Sequence, residues 1–142
     1  MKLGIAKMMV AAVAALVVAS AAFSQTVNIR AQVPFRFAVS DQTYSAGEYA
    51  VKTLVSHSNL TYVANRNVEQ SAMTITHPVD SGTPAKNSVL LFHRIGNTYF
   101  LYQVWAEGSR MGLEFRQTPR EKEMLVSGTK SETISVAASI TQ

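Results

Sequence analysis

"LLFHRIGNTYFLYQVW", residues 90–105, decides the fold. Two runs of strand-favouring residues flank Gly96 and Asn97, a two-residue hairpin turn whose glycine accepts positive φ at its first position. In that register Ile95 faces Thr98, Arg94 faces Tyr99, His93 faces Phe100, Phe92 faces Leu101, Leu91 faces Tyr102, Leu90 faces Gln103 and Val89 faces Val104. Cross-strand partners share a face of the sheet. One face then carries Val89, Leu91, His93, Ile95, Phe100, Tyr102 and Val104. The other carries Leu90, Phe92, Tyr99, Leu101 and Trp105, with Arg94 and Gln103 among them and the Arg94 guanidinium over Tyr99. A strand pair wet on one side alternates apolar and polar residues cleanly, and this one does not. Both faces therefore need a cover. The first is expected to be the main core. The second, Leu90, Phe92, Tyr99, Leu101 and Trp105, is the candidate binding or interface surface, covered by a helix over 119–126 or by a second copy of the protein.

The helix is written just downstream. In "TPREKEMLVSG" Thr118 is an N-cap, Pro119 takes the first helical position, Glu121 completes a capping box and Gly128 is a C-terminal cap. Beyond it, "SETISVAASI" places Ile134, Val136, Ala138 and Ile140 on one face of a last strand. Upstream, alternation runs from Val27 to Val39, broken at Pro34, which cannot donate a ladder hydrogen bond. That stretch is an edge strand, a bulged strand, or two short strands changing sheets. "GEYAVKTLV" follows, with Tyr49, Val51 and Val55 on one face. Two more alternating runs carry Leu60, Tyr62 and Ala64, then Met73 and Ile75, the second expected to end at Pro78. The whole reads as all-β: about eight antiparallel strands in mostly meander order forming a barrel or sandwich, with one short helix near 119–126.

The first 24 residues have the three parts of a secretory signal peptide: Lys2 and Lys7, an apolar run from Met8 to Ala19, and small residues that allow a cut before Gln25 or, nearly as well, before Phe23. The run is shorter than the roughly 20 apolar residues of a membrane span, so no stable anchor is expected after cleavage. Residues 25–142 then form a single β-domain, exported to the periplasm or secreted. A formal charge of +4 falls to +2 when Lys2 and Lys7 leave, with the remaining basic residues scattered. No nucleic-acid partner is expected. The chain has no cysteine, so thiol nucleophiles, thiolate metal sites and lipid attachment at cysteine are excluded. An outer-membrane barrel would need strands of about ten residues and aromatic girdles. These strands are mostly shorter, and a capped helix interrupts them.

Residues that carry chemistry are sparse. His57, His77 and His93 have no partner at metal-ligand spacing, and His93 reads as a hydrogen-bonded core histidine. No G-x-S-x-G elbow and no phosphate-cradling loop occur. Glu107 and Glu114 flank the loop "GSRMG", which makes Glu107, Arg110 and Glu114 a candidate polar loop site. No catalytic residue, cofactor or metal is expected. Tyr44, Tyr49, Tyr62, Tyr99, Tyr102 and Trp105 fall mostly on strands, where aromatics pack across the ladder.

The segments "VPFRF", "AGEY" and "LLFHRIGNTYFL" match the patterns V-P-F-x-F, A-G-x-Y and L-x-F-H-R-x-G-x-x-Y-F-L, and "REKE" follows them. In these the chain resembles a group of uncharacterised small exported bacterial β-proteins. "GLEFRQTP" departs from a G-R-E-L-P-like segment in their pattern. The resemblance implies export and a β fold, and brings no activity. The expected function is a non-enzymatic β-domain that binds a small apolar ligand or a protein partner, with a homodimer possible. The alternative is a cell-envelope structural or assembly component; a hydrolase is the third reading.

Overall fold

The structure, a computed structural model, describes residues 28–53 and 59–141. Residues 1–24, expected above to be a signal peptide, lie outside these residues, as do Val55 and His57. The elements are β1 (Asn28–Val33), β2 (Phe37–Val39), β3 (Gln42–Tyr44), β4 (Gly47–Thr53), β5 (Leu60–Asn65), β6 (Ser71–Asp80), β7 (Val89–Ile95), β8 (Thr98–Trp105), β9 (Met111–Phe115), α1 (Pro119–Val126) and β10 (Ser131–Ile140). Eight strands close into an antiparallel barrel in the order β8-β7-β10-β1-β4-β5-β6-β9, with β9 returning to β8 through Gln103 and Val104. The choice between barrel and sandwich resolves to the barrel.

Pro34 divides the long first alternation into strands with different neighbours. β1 lies between β10 and β4, while β2 pairs with β3 and touches β8 in parallel at Ala38 and Phe100. The β2–β3 hairpin fills a gap. β6 pairs with β5 through residues 71–75 and with β9 through 76–80, so the far edge of its first half needs another neighbour. There the Tyr44 hydroxyl donates to the Ser71 carbonyl at 3.3 Å, and Ser40 Oγ donates to Thr74 Oγ1 at 3.1 Å. Pro78 does not end β6, contrary to expectation. Thr76 N–H donates to the Asn59 carbonyl, so even-numbered residues of β6 turn their backbone groups toward β5. At Pro78 that side lies beyond the end of β5, and the missing N–H leaves the β9 ladder intact.

The hairpin differs most instructively from its sequence reading. Gly96 has φ +62°, as the turn demands, and the first four cross-strand pairs are in the expected register. A β-bulge at Tyr102 then shifts the rest, so Leu91 faces Gln103, Leu90 faces Val104 and Val89 faces Trp105. Tyr102 and Gln103 both turn outward, and Val104 turns in to join Leu90, Phe92 and Leu101 in the barrel. The face offered as an interface is thus the core: Leu90, Phe92 and Leu101 are between 0% and 5% exposed. Tyr99 stacks on Phe35 at 3.9 Å near the end of that core, with Arg94 5.6 Å from its ring centre. Trp105 lies outside. The same inversion holds in β5 and β6, where Thr61, Val63 and Thr76 point inward while Met73 and Ile75 stay exposed.

The lumen is filled by rings. Phe37, Tyr49 and Phe92 are almost wholly buried, with Phe37 edge-on to Tyr49 at 4.8 Å and to Phe92 at 5.4 Å. Such pairs add about 0.5–1.5 kcal/mol each beyond the area they bury. The helix forms where the capping signals put it but covers the opposite face. Met124 and Leu125 pack on Ala38, Ile95 and Phe100 outside the barrel. Thr118 Oγ1 accepts the Glu121 N–H at 3.2 Å, whereas the Glu121 carboxylate turns to His93 in place of the reciprocal bond of a capping box.

Candidate functional site: an exterior groove beside the helix

The bulge that buries Val104 also builds a polar site. With two consecutive side chains turned outward, Tyr102 lies flat on His93, ring centres 3.7 Å apart and planes 24° from parallel. Gln103 reaches sideways to β9, where its Nε2 donates to Glu114 Oε1 at 3.1 Å. Trp105 Nε1 donates to Gln103 Oε1 at 3.0 Å, so the indole, the amide and the carboxylate form one chain along the barrel wall. A hydrogen bond to Glu114, helped by burial and by the charges of Glu114 and Glu121, holds the Tyr102 phenol above its ordinary pKa.

The helix supplies the other wall. His93 Nδ1 and Glu121 Oε1 are 3.1 Å apart, and Glu121 is only 4% exposed. This contact ties α1 to β7 and satisfies a carboxylate that burial would otherwise make costly. Across the groove, His77 stands opposite Glu114 in the ladder, and Arg116 Nε donates to His77 Nε2 at 2.9 Å. His77, His93, Tyr102, Glu114, Arg116 and Lys122 line an open groove of about 520 Å³. Among the described residues, neither Arg116 nor Lys122 forms an ion pair with a carboxylate.

The three residues of the polar loop site are not brought together. Glu107 is exposed at the turn, and its backbone N–H donates to Ser88 Oγ at 2.9 Å. Arg110 closes a two-bond fork on Asp80, at 3.0 and 2.6 Å, and that hydrogen bond, with one from the Gly82 N–H, holds the Asp80 carboxyl below its usual range. Glu114 alone belongs to the groove. The sequence assigned none of His77, Tyr102, Arg116, Glu121 and Lys122 to a site: His77 lacked a metal-spaced partner, Tyr102 read as a strand aromatic and Glu121 as a capping residue. The signal for Tyr102 was Gln103, an amide that strict alternation forces into an apolar face. Nothing in a linear pattern sets His77 opposite Glu114.

Among the described residues, no three His, Cys, Asp or Glu side chains converge to hold a metal ion, and no helix is long and apolar enough to cross a membrane. No family model, curated protein or solved structure matches the chain.

Proposed function

We propose that this protein is an exported, non-enzymatic β-barrel that binds a protein partner at the groove between β9 and α1. One observation carries the reading. The barrel interior is occupied by its own rings, Phe37, Tyr49 and Phe92, while ionisable side chains gather on one side of the exterior. A small apolar ligand held in the lumen is the weaker half of the sequence expectation, since those rings occupy the space it would need. The two groove histidines bond to Glu121 and Arg116 and not to a hydroxyl nucleophile, which favours binding over hydrolysis. Arg116 and Lys122 lack carboxylates of their own and suit an acidic segment of the partner. The apolar opening run, with its preceding lysines, supports export.

A second reading, the envelope assembly component, draws on Met73 and Ile75, which are 64% and 51% exposed on the outer face of β6. One experiment addresses both. A photocrosslinking residue is placed at Gln117 in the groove, at Met73, and at Gln32 on β1, halfway round the barrel from β9. In the producing cell, Gln117 is expected to give a discrete adduct that disappears with Arg116→Glu plus Lys122→Glu, and Gln32 none. Equal adducts from Gln117 and Gln32 overturn the groove reading. A self-adduct from Met73 alone would establish the assembly reading in its place.

A further inference from the structure

Seven arginines fall among the described residues, and five of them engage a side chain: Arg30 and Arg66 with Glu48, Arg94 with Glu132, Arg110 with Asp80, Arg116 with His77. The two that do not, Arg36 and Arg120, line the same recess. It measures about 190 Å³ and lies where the β2–β3 hairpin, the β7–β8 turn and the first turn of α1 meet. Thr43, Asn97, Thr98 and Tyr99 complete its polar lining, so each polar side chain there offers a hydrogen-bond donor and none is a carboxylate. α1 thus sends Lys122 to the groove and Arg120 to this separate recess.

Two physical costs mark the recess. Arg120 is the second residue of α1, where the positive end of the helix dipole disfavours a cation. Two guanidinium groups lining one small space also repel each other. A bound anion would relieve both. Guanidinium forks match the paired oxygens of an oxyanion, and hydroxyl and amide donors from the facing strands suit further oxygens.

We propose that this recess binds a tetrahedral oxyanion, a phosphate group held by Arg36 and Arg120 with donors from Thr43, Asn97 and Thr98. The volume holds such a group and a few further atoms. The inference stands apart from the groove and survives if the groove takes no partner. Asp41 lies with Arg120 in an adjoining recess of about 50 Å³ and competes for the same charge.

The test is a titration of the protein with inorganic phosphate, glycerol phosphate and acetate at constant ionic strength in chloride, followed by amide NMR. Saturable shifts are expected at Asn97 and Thr98 with phosphate. Arg36→Gln and Arg120→Gln should each weaken binding about 10- to 100-fold, the loss of a hydrogen bond to a charged group. Arg66→Gln should change nothing, and Asp41→Asn should tighten binding. All four positions are exposed, so the variants keep the fold. Tighter binding of glycerol phosphate than of inorganic phosphate would assign the group to the end of a larger molecule, and the reverse order to the free ion. Preference for acetate, shifts that chloride reproduces, or unchanged binding in the Arg36→Gln plus Arg120→Gln variant would overturn the proposal.

Discussion

Phe92→Ala is expected to cost the barrel about 3–5 kcal/mol, measured as a lower midpoint in urea with an unchanged slope. The side chain has no exposed surface, and Phe35 and Phe37 meet it edge-on at 4.9 and 5.4 Å. No neighbouring strand can close over the space it leaves, because each is held on both sides by the barrel ladder. Against a typical domain stability of roughly 5–15 kcal/mol, that loss brings the fold near its threshold. Phe92→Asp with Leu101→Asp should unfold the protein, since both charges would be buried without partners. A folded, monomeric double variant would show that these residues are not the core.

Gly112→Val should have the next largest effect, for a different reason. A Cβ at Gly112 would come within 2.7 Å of the Trp105 ring. The indole lies against β9 because glycine leaves room for it, and there its Nε1 reaches Gln103, which in turn holds Glu114. Valine must push the ring away, at an overpacking cost of about 1–3 kcal/mol. Trp105 is the sole tryptophan, so its fluorescence reports the displacement directly. The emission should shift to the red. Unchanged emission and stability would mean that the indole does not lie on Gly112.

Alternation and turn chemistry made the strands, the Gly96–Asn97 turn and the capped helix legible in the sequence. Which face was inside was not. A closed barrel chooses the face that continues its neighbours' buried faces, and for the hairpin that face holds Leu90, Phe92 and Leu101, with Val136 facing Leu90 on β10. On the hairpin alone, Arg94 and Gln103 favoured the other face as the core, and α1 covers Ile95 and Phe100 there and permits them to be apolar. β9 did not stand out as a strand: its first two residues fall in the loop "GSRMG", and its five residues include Gly112 and alternate weakly. The groove was invisible for a related reason. It depends on one extra residue, Tyr102, and on two long-range pairings, β6 with β9 and α1 with β7, that no local pattern encodes.

The barrel's interior is filled by its own side chains, which leaves the outer surface for the proposed binding. Xenon under pressure, applied to crystals of the wild-type protein beside Phe92→Ala, tests that filling most directly, because dry apolar cavities admit xenon. Xenon is expected in the variant's cavity and absent from the space between Phe37, Tyr49 and Phe92 in the wild type. Ordered xenon among those rings in the wild-type barrel would contradict the account and return the search for a ligand to the lumen.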